Sequence, residues 1–222
     1  MKNNGTIFVF CAALFLVACA VNSPVVIPKI QASAQAGELR KESVLVYLDK
    51  DFLNEQHESK QLLTVFQYDL GEYFKSAVHD SLKSYFADIS QSESKLSADN
   101  FDLVIQPQLI QFEAPVPPLV TMSTKTKLTL KYNVIPKAPL QPFELNATGT
   151  YELKTKQDEL TYNSLEGKDI YHYDVSTGLG LHIPAYSYEA GKDAYMAIVH
   201  ALDDLNKQLA EALKNIKLNS KA

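Results

Sequence analysis

Five histidines, two cysteines and several adjacent acid pairs are the side chains with acid–base, nucleophilic or metal-binding chemistry to offer. The histidines, His57, His79, His172, His182 and His200, are scattered, and no two have the tight spacing of metal ligands. His79 has Asp80 beside it, and His200 has Asp203 and Asp204 about one turn later on a predicted helix, where such side chains can touch. A solvated pair is the simpler reading of each. Asp203-Asp204 and Asp158-Glu159 read as surface charge, because glycosidase-like use of two carboxylates depends on a separation in space that sequence does not supply. The chain has no G-x-S-x-G elbow, P-loop, G-x-G-x-x-G or H-E-x-x-H. These residues point to no catalysis, no metal and no cofactor. A lipid-anchored enzyme whose site follows no known motif stays as an alternative.

The cysteines carry a different chemistry. Met1-Lys2-Asn3-Asn4 is a short, weakly positive start, and Ile7 to Val17 is almost wholly apolar, ending at Ala18-Cys19. This is the pattern of a secretory signal peptide over residues 1–18. The apolar run is roughly 14 residues against the roughly 20 that cross a bilayer as a helix, so a retained span is the poorer reading. Cys11 lies inside the apolar run and would be removed, whereas Cys19 falls at the cleavage position. Only a thiol offers the sulfur that thioether formation needs. Leu16-Val17-Ala18-Cys19 resembles the lipobox of bacterial lipoproteins. The resemblance implies that the Cys19 sulfur receives diacylglycerol and that Cys19 becomes the first mature residue. Each buried CH₂ contributes about 0.8 kcal/mol, so several acyl chains would anchor the protein almost permanently. In that family's sorting rule, alanine rather than aspartate after the cysteine, here Ala20, implies the outer membrane.

One further segment has the composition of a contact surface. Tyr162 to Tyr188 is long for a connection, holds Tyr162, Tyr171, Tyr173, Tyr186 and Tyr188, and contains an apolar stretch with Leu179, Leu181 and Ile183. Long loops are often functional, and tyrosine suits interfaces because it joins a large apolar body to a polar tip. Tyr171, Tyr173, Leu179, Leu181, Ile183 and Tyr186 are therefore the candidate partner-binding residues. The competing reading is a loop with an extra hairpin covering one end of a sheet.

The elements that would position these residues follow from periodicity. Residues 19–41 contain prolines and small residues without a sustained period, and read as a lipidated N-terminus and flexible tether, with docking of Val25 to Ile30 as an edge strand the alternative. Fully extended, Ala20 to Lys41 would reach about 60–70 Å. Ser43 to Leu48 predicts a strand. Asp69 and Glu72 resemble a capping box at the start of a helix whose Leu70, Phe74, Val78 and Leu82 form an apolar stripe, widened by Tyr73, Ala77, Tyr85 and Phe86. Three strands follow, at Phe101–Phe112, Met122–Val134 and Phe143–Leu153. Pro107 suggests that the first has an edge position or a bulge. The other two alternate apolar and polar residues and should pair antiparallel through the 135–142 turn. A second amphipathic helix, from about Tyr188 to Lys217, presents Ala194, Ile198, Ala201, Leu205, Leu209, Ala212 and Ile216 on one face. A short coiled coil is the alternative for that stripe.

The expectation is one α+β domain over residues 42–222, a small mainly antiparallel sheet with two amphipathic helices packed on it. With 46% hydrophobic and 21% charged residues the chain is ordinary for a globular protein, and a net charge of -5 disfavours nucleic acid as a partner. The order of elements, carried by "YDLGEYFKSAVHDSLKSYF", "FDLVIQPQLIQF" and "KDAYMAIVHALDDLNKQLAEAL", resembles small periplasmic lipoproteins that assist envelope assembly, including auxiliary lipoproteins of ABC-type lipid transporters. That resemblance implies a non-catalytic accessory subunit with an envelope protein as partner and the membrane held through Cys19. A module binding lipid or glycan is the alternative.

Overall fold

The alternating runs after residue 124 form the antiparallel pair that their pattern predicts. In the computed structural model, which describes residues 21–30, 39–61, 64–94, 99–116, 124–152 and 183–214, the elements in chain order are as follows. They are β1 (Val21–Pro24), β2 (Arg40–Tyr47), α1 (Lys50–Leu53), β3 (Gln56–Gln61), β4 (Thr64–Asp69), α2 (Leu70–Leu82) and β5 (Phe86–Ser92). β6 (Leu103–Glu113), β7 (Thr126–Pro136), β8 (Phe143–Tyr151) and α3 (Ile183–Lys214) complete the set. Thr126, Leu128, Leu130, Tyr132 and Val134 of β7 are all buried, and β8 pairs with it from Val134↔Phe143 to Thr126↔Tyr151.

The chain is α+β, but its strands form two sheets rather than one. Five strands run in the order β5-β2-β6-β7-β8, with β2 parallel to both β5 and β6 and the other two pairings antiparallel. This sheet is therefore mixed, not mainly antiparallel. The physical cause lies in the connections: α1, β3, β4 and α2 lie between β2 and β5, enough chain to return β5 in the same direction. The second sheet has the order β1-β4-β3, with β1 parallel and β3 antiparallel to β4.

The flexible tether expected over residues 19–41 is corrected for its described part. β1 lies within that segment, Val25 and Ile27 are buried, the Val25 amide donates to Gln67 O at 2.8 Å, and the Tyr73 hydroxyl donates to Pro28 O at 2.9 Å. The docking alternative holds, with the strand at Val21–Pro24 rather than at Val25–Ile30. A short apolar segment with prolines carries no period, yet it docks because Val25 and Ile27 find a partner surface that the local sequence does not reveal.

Both predicted helices form, and a four-residue α1 adds a third. α2 begins where its cap predicts: the Asp69 carboxylate accepts from the Glu72 amide at 3.3 Å. It buries Leu70, Phe74, Ala77, Val78 and Leu82, and ends at Leu82, so that Phe86 starts β5 instead of extending the stripe. α3 packs across β7 and β8, with Ala194, Ile198, Ala201, Leu205 and Leu209 completely covered. One continuous core joins both sheets and all three helices. Pro107 lies just beyond Ile105, the last β6 residue paired with β2, so it occupies a one-sided stretch of an otherwise interior strand. A bulge between Leu109 and Gln111 then switches the strand's parity, burying Phe112 and leaving Ile110 56% exposed. Among the described residues no helix is long and apolar enough to cross a membrane.

Candidate functional site

A single apolar stripe would leave half of α3 in solvent, yet no residue from Ser187 to Val199 is exposed. Two surfaces close on this half of the helix. On one side a Cβ at Gly149 of β8 would stand 1.8 Å from Ala197 O and 2.7 Å from Ala201 N, so only glycine permits the approach. On the other side a Cβ at Gly191 would stand 2.0 Å from Val26 O, and the Ser23 and Ser187 hydroxyls are hydrogen-bonded. The N-terminal half of α3 is thus held between the five-stranded sheet and the 21–30 segment.

That enclosure puts charge inside the protein. Lys192 is completely buried, with its ammonium 3.6 Å from Glu189 Oε1 one turn earlier and 4.7 Å from the centroid of the Tyr188 ring. Burial pushes the Asp193 carboxyl up to about 7; the Glu189 charge adds to the rise and the Lys192 ammonium opposes it. Burial, reinforced by Asp193, also pushes the Tyr68 phenol up. Tyr73 and Tyr195 are raised by burial as well, and the neutral Tyr73 phenol donates to Pro28 O.

Next to this cluster, three rings join β3, β4 and β6. His57 lies 4.9 Å from Phe112 and 5.7 Å from Tyr68, and Tyr68 lies 5.3 Å from Phe112, all edge-on. Burial lowers the His57 pKa, and nearby Glu58 partly offsets this. The side chains in this region engage one another: lysine meets glutamate and tyrosine, and histidine meets two aromatic rings. The Ser23–Ser187 hydrogen bond and the close approach of Val26 to Gly191 fasten residues 21–28 to α3, and the three rings tie the three-stranded sheet to β6. Among the described residues, no three His, Cys, Asp or Glu side chains gather as a metal site.

Of the residues singled out in the sequence, Cys19, Tyr171, Tyr173, Leu179 and Leu181 lie outside the described residues. Ile183 and Tyr186 lie in the first turns of α3, which starts five residues before Tyr188, so the candidate contact segment does not continue as a loop to its end. His79 and Asp80 pair as anticipated, whereas His200 meets a backbone carbonyl of β8. His79 lies 3.4 Å from Asp80, which also meets Lys83 at 3.0 Å. Asp203 pairs with Lys207, Asp204 accepts from Gln208, and His200 Nδ1 lies 2.9 Å from Thr150 O rather than on either acid. Lys192 and Asp193 went unnoticed because they lie off the apolar stripe; the one local signal was Gly191 beside them, a residue that costs helix stability unless a close approach requires it.

No family model matches the sequence, and no curated protein matches it. Two solved structures are similar in part. One is a DUF330-family protein from Xanthomonas campestris, with 8% identity and a TM-score of 0.45, covering 87% of this chain and 99% of that one. The other is a PelC dodecamer from Paraburkholderia phytofirmans, with 15% identity and a TM-score of 0.31, covering 56% of this chain and 79% of that one. Both scores are too low to carry a functional reading.

Proposed function

We propose that this protein is an outer-membrane lipoprotein whose α+β domain serves as a non-catalytic accessory or assembly subunit of an envelope complex. The observation that carries the reading is Leu16-Val17-Ala18-Cys19 at the end of an apolar N-terminal run. Diacylglycerol on Cys19 would hold the domain at the periplasmic face of the membrane. The partner surface in this reading includes Tyr171, Tyr173, Leu179 and Leu181.

The test is native electrophoresis of envelopes solubilised in mild detergent, comparing the wild type with a Leu179→Ser/Leu181→Ser double variant. The wild type is expected in a species well above the mass of its own processed chain, and the double variant at lower mass with an unchanged melting temperature. Migration of the wild type as a free monomer would dismiss the subunit reading.

A further inference from the structure

The chain enters the fold almost as soon as it leaves Cys19. Val21 pairs with Thr64, so only Ala20 separates the proposed lipidated residue from a strand. Two residues span at most about 7 Å, about a tenth of the reach a free tether would have. The strand and the residues that follow it are held by the Ser23–Ser187 hydrogen bond, burial of Val25 and Ile27, the Val25–Gln67 bond and the Tyr73–Pro28 bond.

The register of the three-stranded sheet then identifies what lies at that end. Val21 of β1, Thr64 of β4 and Gln61 of β3 are in line, since Val21 pairs with Thr64 and Thr64 with Gln61. With strands about 4.8 Å apart, Thr64 and Gln61 lie about 5 and 10 Å to the side of Val21. Acyl chains on Cys19 would put its glycerol at the boundary of a headgroup zone only about 5–8 Å deep. A leash this short keeps the end of the sheet within a few ångströms of that zone.

We propose that the edge formed by Val21, Thr64 and Gln61 is a membrane-docking surface that rests end-on against phospholipid headgroups. This rests on the lipoprotein reading above and deepens it. The surface chemistry suits lipid: Lys60, exposed and next to Gln61, presents an ammonium for lipid phosphate. The opposite end of β3, at Gln56, lies about 17 Å along the strand from Gln61. The domain therefore stands on the membrane in one orientation rather than swinging above it.

The full-length protein, expressed in a lipoprotein-processing bacterium, is purified and placed in phosphatidylethanolamine–phosphatidylglycerol vesicles containing a headgroup-nitroxide lipid. Gln61→Cys and Gln56→Cys variants carry a bimane probe, with Thr64→Cys as a second near-membrane position if Gln61→Cys folds poorly. A parallel alkyne-fatty-acid label reports acylation in each sample. The expected result is acylated protein with a roughly twofold loss of emission at Gln61 or Thr64 and little at Gln56, since about 17 Å exceeds the headgroup zone. Acylated protein with equal quenching at the two ends, or with none at either, overturns end-on docking and leaves the lipoprotein reading standing. A near-end probe that is unquenched but crosslinked to an envelope protein overturns it as well, in favour of a protein partner. Absence of acyl label on the wild type overturns both readings together.

Discussion

Asp193 and His57 work against each other as pH changes, and each has a defined window. The Asp193 carboxyl has a folded pKa of about 7 against an ordinary 3.8. Between those values the folded state holds the proton that the unfolded state releases, so its contribution makes stability fall as pH rises from about 4 to about 7. Asp193→Asn should therefore match the wild type near pH 4 and melt several degrees higher at pH 7 and above. A difference that does not vary with pH would contradict the burial argument. His57 has the opposite sign. Its pKa is lowered from 6.5, so the unfolded state takes up a proton first and stability falls as pH drops below 6.5. His57→Phe, which keeps a ring against Tyr68 and Phe112, should make the acid limb of a melting-temperature profile shallower. An unchanged limb would show that His57 titrates alike in both states. The role of His57 was not legible locally, since "EQHESK" carries no mark of burial, and for Asp193 the local signal was the neighbouring Gly191 alone.

At the scale of elements, the contact between α3 and β8 depends on size. Gly149→Ala would place a methyl group against Ala197 O and Ala201 N, which are backbone atoms and cannot rotate away. Overpacking of this kind costs about 1–3 kcal/mol, a fall of several degrees in a domain of this size. Thermal melts followed by circular dichroism check it, and a variant as stable as the wild type would mean that helix and sheet separate easily. Leu205→Asp and Leu82→Asp should do more. Both leucines are fully buried, and an unpaired interior carboxylate costs several kcal/mol, comparable with a domain's whole stability. α3 also protects the outer edge of β8: Gln208 donates to Asn146 O at 3.0 Å, and His200 lies against Thr150 O. Covering those carbonyls leaves less of the strand open to pairing with another chain. The stripes of α2 and α3 and the alternation of β7 and β8 were legible because each is amphipathic at its own period. β3 was not, since "QHESKQ" is polar throughout and is held as a strand by its ladder to β4. Nor was β5, whose first residue, Phe86, continues the spacing of the preceding helix.

For the molecule as a whole, the N-terminal segment separates two accounts of the protein. If residues 21–30 were a tether, a fragment of residues 39–222, which keeps β2 whole, would be as stable as one of residues 21–222. The structure makes the shorter fragment weaker, because Val25 and Ile27 are buried and each such side chain contributes about 1.5–3 kcal/mol. The expected loss is on the order of 10 °C or more at a few degrees per kcal/mol. Equal melting temperatures for the two fragments would restore the tether. Lipidation is tested independently by Cys19→Ser, which should abolish incorporation of an alkyne fatty acid because a hydroxyl cannot form the thioether; label retained on the variant would remove the anchor from the account.

By itself the sequence determined the α+β class, the cap of α2, the two amphipathic helices and the β7–β8 pair. Each is written in a pattern of neighbours within about a dozen residues, the range over which hydrophobic period and capping act. It also determined the case for Cys19, a covalent argument resting on a thiol and its immediate context. Only the tertiary structure decided that β2 joins two parallel partners, that residues 21–30 dock, and that Lys192 lies inside with a partly covered Asp193 beside it. Those outcomes depend on surfaces brought together from distant parts of the chain, as Ser23 meets Ser187 and Gly191 meets Val26. No local period records whether a second surface will cover the polar face of a helix, because the free energy that decides it comes from burial between segments more than 160 residues apart.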